Sequence, residues 1–314
     1  MISQFFSRAG SRFAISRNET AVIEDVLDPP FEIIEPAKHT APFVFNSPHS
    51  GRTYFREFLA ASRLNLARLR KSEDTFVEQL FAPVASLGAP LLHAHFPRAY
   101  LDVNREPYEL DPALIAESLP RYANTQSVRV VGGLGTIARI VTESEEIYRR
   151  PMTLGDALER INNLYKPYHA ALSGLMDASM QKFGMAVLID CHSMPSNPLY
   201  DTGDERPDFV LGDRFSTSCN PDFTRLVAEQ LKGMGYVVAF NKPYAGGYIT
   251  EYYGRPGKGR HALQIEVNRA LYLNEASYQR SKHFDRLRRD ITRLVEAMIE
   301  MMPSLRDVPR AAAE

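Results

Sequence analysis

The stretch Ala186-Val187-Leu188-Ile189-Asp190-Cys191-His192-Ser193-Met194-Pro195 decides how this chain is read. A short run of apolar, mostly branched residues passes directly into an acid, a thiol, an imidazole and a hydroxyl, and a proline ends it. Preceded by Gly184, such a run reads as a strand buried on both faces. In open α/β sheets the chemistry gathers beyond the carboxyl ends of such strands. His192 is therefore expected at the lip of a cleft, as a candidate metal ligand.

Outward from that strand, the same pattern recurs. Phe43-Val44-Phe45-Asn46-Ser47 reads as a strand broken by Pro48-His49-Ser50-Gly51, which leaves His49 on a strand-end turn. Ala262 to Arg269 reads as a strand that sets Glu266 among apolar neighbours. Further strands are expected at 90–96, 100–103, 136–141, 208–213 and 236–240. Helical patterning covers 57–87, with Ser72 as N-cap, then 221–233 and about 275–301. The longest helical stripe opens at the cap Thr153 and is expected to kink at Pro167, near Tyr168-His169. His169 reads as a packed or capping imidazole. Residues 106–135 read as irregular, and Gly132-Gly133-Leu134-Gly135 lacks the lysine and spacing of a phosphate loop. The glycine-rich segments around 246–250 and 254–260 read as mobile loops able to fold over the site.

Strands and helices alternate without repeat or long polar linker, so one α/β domain with a mixed sheet is expected. The division is an N-terminal arm at 1–40, a single domain at 41–302 and a tail at 303–314. At 314 residues, 44% hydrophobic and 24% charged, the composition is that of an ordinary globular enzyme. A net charge of -1 offers no general attraction to nucleic acid or acidic membranes. No apolar run is long enough to span a bilayer. Two cysteines, Cys191 and Cys219, form no disulfide framework, which suits a cytoplasmic setting. Arg8, Arg12 and Arg17 faintly suggest a transit peptide, but no apolar region follows, and a loosely docked arm is the plainer reading.

Polar groups at strand ends or in tight turns comprise His49, Asp74, Asn104 with Arg105, Arg139, His192 and Glu266. Two histidines and a carboxylate with a water in the fourth position form a common catalytic zinc set. A separate buried glutamate, its pKa raised, suits the role of general base, and Glu266 fits it. Arginines suit paired recognition of a substrate carboxylate. No HExxH, CxxC or GxSxG element is present, so spacing alone does not specify the site. His93 and His95 share a strand face but have no acid on that strand, and packing is expected of them. Asp190 is expected to orient the His192 ring, and Cys191 to point into the core.

The blocks Asn46 to Gly51, Asp74 to Leu80, Arg98 to Arg105 and Ile189 to Pro195 resemble the N-formylglutamate amidohydrolase family. So do Asp208 to Cys219, Asn241 to Thr250, Tyr253 to Pro256 and His261 to Asn268, in the family's order, and Tyr165-Lys166-Pro167-Tyr168-His169 keeps the family's Tyr-x-Pro-Tyr-His. The resemblance implies a phosphorylase/hydrolase-like mixed sheet flanked by helices and related to zinc carboxypeptidases. It implies a divalent metal, with Zn2+ the first choice, held by His49, Asp74 and His192. Glu73 is the rival of Asp74. The carboxypeptidase likeness makes Glu266 the general base and Asn104 with Arg105 the clamp for the substrate's α-carboxylate. Arg139 and Arg255 become candidates for its side-chain carboxylate. The activity implied is hydrolysis of a small molecule, N-formyl-L-glutamate, to formate and L-glutamate, a step that feeds histidine degradation. Two other readings stand beside it. One is a carboxypeptidase- or deacylase-like hydrolase of another N-acyl amino acid or short peptide, which formate release distinguishes. The other is a metal-free binding module on the same fold, which binds no stoichiometric metal.

Overall fold

A computed structural model describes residues 21–25, 27–141, 145–196 and 206–306. Its centre is a seven-stranded mixed sheet. In chain order the strands are β1 (Phe31–Ile34), β2 (Phe43–Ser47), β3 (Leu91–Ala94), β4 (Ala186–Met194), β5 (Phe209–Gly212), β6 (Val238–Phe240) and β7 (Arg260–Asn268). Their spatial order is β1-β3-β2-β4-β7-β5-β6. The pairs β3/β2, β2/β4, β4/β7 and β5/β6 are parallel, while β1 on β3 and β5 on β7 are antiparallel.

Alternation along these strands builds two cores and one site. Phe43, Phe45, Val187, Ile189, Cys191, Leu263, Ile265 and Val267 point to one face. There they meet the helices α1 (Val77–Phe81), α3 (Pro221–Gly233) and α5 (Phe284–Arg306). Val44, Leu188 and Ala262 point to the other face, against α2 (Lys166–Phe183). On that second face the residues turn polar toward the carboxyl ends. Val44 is followed by Asn46, Leu188 by Asp190 and His192, and Ala262 by Gln264 and Glu266, all buried. Period-two geometry thus gives an apolar underside and a polar rim from the same strands. Cys191 lies on the apolar side as expected, and both cysteines are free and buried.

Several expectations need correction. Part of the 1–40 arm belongs to the sheet, because Phe31–Ile34 is its edge strand and pairs with Leu91–Ala94. Residues 57–87 are not one helix but short helical pieces, interrupted at Glu73 to Phe76. Ser72 donates back to the Leu69 carbonyl and caps nothing, and Phe76 takes a left-handed φ of 67°. Residues 100–103 and 136–141 form no strand. Their apolar side chains are buried because this irregular segment itself packs on the second core, tied to itself by Asp102 N to Thr136 O. The C-terminal helix starts at Phe284 and runs to Arg306, past the expected domain edge at 302. The Pro167 distortion falls one turn earlier than expected, as a π-helical turn at Ile161–Tyr165. A proline ring collides with the carbonyl four residues before it, and a widened turn there relieves the clash. Thr153 caps its helix as expected, its side chain accepting from Asp156 N. Residues from Tyr248 form a short helix, α4 (Tyr248–Tyr253), with Gly247 at its N-cap, rather than an open loop. Among the described residues no helix is long and apolar enough to cross a membrane.

Candidate metal centre and catalytic site

His49, Asp74 and His192 come from three separate parts of the chain and meet at one point. His49 follows β2 in the turn the proline imposes, and its carbonyl accepts from Asp74 N at 2.9 Å. That bond, with the left-handed Phe76 two residues on, turns the Asp74 side chain back toward the sheet. A bulky residue in this region is costly and is found where surrounding structure holds it for a purpose. His192 arrives on β4, where it stands in register with Glu266 on β7. Asp74 Oδ2 lies 3.0 Å from His192 Nδ1 and 3.6 Å from His49 Nδ1. The three donor atoms lie within 4.8 Å of one another, and all three residues are buried.

The far side of each imidazole is occupied by a carboxylate. His49 Nε2 is 2.7 Å from Asp102 Oδ1, and His192 Nε2 is 2.9 Å from Asp190 Oδ2. These partners hold the proton on Nε2 and aim both Nδ1 atoms at the shared point. His49 Nδ1 is buried and has no hydrogen-bond partner. An orphaned acceptor beside a carboxylate and a second imidazole is the donor set a divalent ion takes. Asp190 is fixed in turn by Asn46 Nδ2 at 2.8 Å, and Asn46 accepts from the Tyr168 hydroxyl of α2. Asp102 is fixed by Arg98 Nε at 2.9 Å and by Asn104 N at 2.8 Å. Although burial opposes their charge, Asp102 is held well below the usual carboxylate range by Arg105, Arg98 and His49, and Asp74 by the two imidazoles. Burial likewise opposes charge on His192, but Asp190 and Asp74 hold its imidazole well above the usual range.

Glu266 sits beside this cluster and accepts from Gln264 Nε2 at 2.9 Å. Burial pushes its carboxyl up to about 7, against the pull of His192 and two guanidinium groups. A carboxylate so poised exchanges protons near neutral pH. Glu73 is turned elsewhere. It accepts from Tyr54, Arg70 and Thr75, so Asp74 is the acid that faces the histidines.

The expected substrate clamp is brought together only in part. Asn104 Nδ2 lies 3.3 Å from His192 Nε2, and its Oδ1 accepts from Ile249 N at 2.8 Å. A Cβ on Gly247 would stand 2.4 Å from that Oδ1, so only glycine lets α4 seat here. Arg105 is committed to the Leu134 and Asn104 carbonyls and to Asp102. Arg139 pairs with Asp111 in the irregular segment, away from the cluster. Arg255 bonds the Gly254 and Glu251 carbonyls and lines a separate cavity of about 460 Å³ with Arg214 and Lys258. Two other arginines serve the site. Arg269 binds Asp74 Oδ1 at 3.2 Å, Ser193 Oγ and the Glu73 carbonyl. Arg98 bonds Asp102 through Nε, and its side chain is 30% exposed. Both stand inside or next to blocks already singled out in the sequence, Arg98 at the head of Arg98 to Arg105 and Arg269 just after Glu266-Val267-Asn268. His169 is packed as expected, between the Val103 carbonyl and the Tyr253 hydroxyl.

The family model described as N-formylglutamate amidohydrolase matches residues 41–273. An N-formylglutamate deformylase of Pseudomonas putida is 28% identical over 241 residues, covering 74% of this chain and 82% of its own. One from Pseudomonas aeruginosa is 26% identical over 247 residues, covering 78% and 86%. The crystal structure of N-formylglutamate amidohydrolase from Ralstonia eutropha JMP134 superposes with a TM-score of 0.81 at 36% identity, covering 88% of this chain and 98% of the other.

Proposed function

The chain belongs to the N-formylglutamate amidohydrolase family, and from that premise we propose that it is a metal-dependent amidohydrolase. Its substrate is N-formyl-L-glutamate, cleaved to formate and L-glutamate at His49, Asp74, His192 and Glu266. The sheet is read as the phosphorylase/hydrolase-like architecture of zinc carboxypeptidases, with the product entering histidine degradation. The single observation that carries the reading is the convergence of His49 Nδ1, His192 Nδ1 and Asp74 Oδ2 within 4.8 Å, beside a buried glutamate.

His49, Asp74 and His192 would hold the ion, and zinc suits two imidazoles and a carboxylate. When bound, a divalent ion supplies Lewis acidity that acidifies water and polarises the formyl carbonyl. Glu266 accepts the proton of the attacking water and later returns it to the departing amine nitrogen. Asn104 supplies amide hydrogen-bonding groups at the wall of the site. Arg98, partly open and anchored at Nε, offers its remaining N–H groups to a substrate carboxylate. Asp102 and Asp190 keep the two imidazoles oriented throughout.

The test is L-glutamate release from N-formyl-L-glutamate and from N-acetyl-L-glutamate by chelator-treated protein, before and after restoring Zn2+ or Co2+. Metal-restored release with N-formyl-L-glutamate preferred over N-acetyl-L-glutamate is the expected outcome. Release that is indifferent to the metal, or confined to other acyl groups, overturns the proposal.

A further inference from the structure

His93 on β3 and His95 just beyond it have no acid nearby in sequence, yet the fold supplies one. The edge strand β1 runs antiparallel to β3, with Glu32 in register with His93. His95 follows the last residue of β3, and the His93 and His95 rings stand with centroids 5.1 Å apart. Glu32 Oε2 lies between them, 3.5 Å from His93 Nε2 and 3.7 Å from His95 Nε2. Alternation sets this group on the face opposite His192 and Glu266. Ser47, the partner of His93, follows Asn46, which points to the catalytic side.

These spacings suit a shared ion better than hydrogen bonds. A charge-assisted N–H···O contact closes to ~2.7–2.9 Å, as His49 does on Asp102 at 2.7 Å. Separations of 3.5 and 3.7 Å are too long for that. Two donors each ~2.1 Å from a tetrahedral zinc ion stand ~3.4 Å apart. The three donor atoms lie within 4.8 Å of one another. His95 adds the partner that metal-bound imidazoles usually have, because its Nδ1 lies 2.9 Å from the Pro29 carbonyl. That contact anchors the ring through Nδ1 and turns Nε2 toward the Glu32 carboxylate, the orientation a shared ion needs. His93 is nearly buried and held by the sheet, whereas Glu32 is 54% exposed, which leaves an open side for water ligands.

We propose that Glu32, His93 and His95 form a second metal site, of the two-histidine, one-carboxylate type, which takes a borderline transition-metal ion such as Zn2+ or Co2+. The site clamps the edge strand to β3. Glu32 lies outside residues 41–273, those matched by the family model, so the site depends on a segment that precedes them.

The test is metal stoichiometry on the full chain, stripped with a chelator and dialysed against Zn2+, with metal measured per protein. The wild type is expected to bind two equivalents. Glu32→Gln and His95→Gln are each expected to bind one equivalent fewer while retaining formate release. His192→Gln is expected to lose the other equivalent and to keep a Zn2+-dependent rise in Tm, which His192→Gln with His95→Gln abolishes. Glu32→Gln alters a half-exposed side chain, so it decides the matter even if His95→Gln folds poorly. Variants at 32 and 95 that bind as much Zn2+ as the wild type overturn the proposal. A total of one equivalent, lost only in His192→Gln, overturns it while leaving the catalytic centre intact.

Discussion

Asp102 Oδ1 stands 2.7 Å from His49 Nε2, while Nδ1 of the same ring is buried without a partner. The carboxylate therefore decides which nitrogen carries the proton and which is free to ligate. Replacing it with Asn keeps the shape but removes the charge that fixes the tautomer. Asp102→Asn is expected to weaken Zn2+ binding by about 10–100-fold. Competition with a chromophoric chelator measures this. Unchanged affinity would show that the ring is oriented by packing alone.

Glu266 is expected to act on protons and not on the ion. Glu266→Gln should lower kcat by about 10²–10⁴-fold while Zn2+ content stays the same. Burial raises its carboxyl to about 7 in the metal-free chain. A bound cation favours the ionised form, so the loaded enzyme should lose activity as pH falls through a value at or below about 7. The base is active only when deprotonated, which gives the limb that sign. A pH–rate profile in which the variant keeps the same acid limb would assign it to another group.

Arg98 anchors one nitrogen on Asp102 and leaves the rest of its guanidinium partly open. A charge-assisted bond to a substrate carboxylate contributes about 1.5–3 kcal/mol, so Arg98→Gln should raise KM by about 10–100-fold. Steady-state kinetics separates this from an effect through Asp102 and His49. An unchanged KM with a fall in kcat would mean that Arg98 acts only as a positioning residue.

The parts of this molecule legible in sequence are those where one strand answers to one local pattern. The strands carrying His192 and Glu266 announce themselves as apolar runs, and period-two alternation puts Cys191 opposite His192. The broken helix at 57–87 was hidden because its periodicity belongs to real core residues, Leu69, Val77, Leu80 and Phe81. The chain leaves helical geometry at Glu73 to Phe76 for the sake of a long-range contact, Asp74 N to the His49 carbonyl. Arg105 and Arg98 share one motif, and only the tertiary structure reveals which guanidinium is spent on backbone carbonyls. Glu32 could not be paired with His93 from spacing, since antiparallel register across a sheet edge joins them.

His169 gives the fold a dependence on acid. The ring is stacked on Tyr165 and Tyr253. One nitrogen contacts the Val103 carbonyl, and the other contacts the Tyr253 hydroxyl. A neutral ring donates from Nε2 to the Val103 carbonyl. The Tyr253 hydroxyl beside Nδ1 also donates to the His169 carbonyl at 3.2 Å, so it is burial that opposes a charge on the ring. Burial lowers its pKa from 6.5 to about 4. Between those values the unfolded chain binds the proton and the folded chain does not. Stability from this group is therefore complete above 6.5 and falls as pH drops toward 4, by about 2 kcal/mol at pH 5. His169→Gln cannot titrate, though it keeps an amide donor for the Val103 carbonyl. Urea unfolding at pH 7.5 and pH 5 should show a smaller acid-induced loss in the variant than in the wild type, by about that amount. Equal losses in the two proteins would mean that the acid sensitivity lies elsewhere.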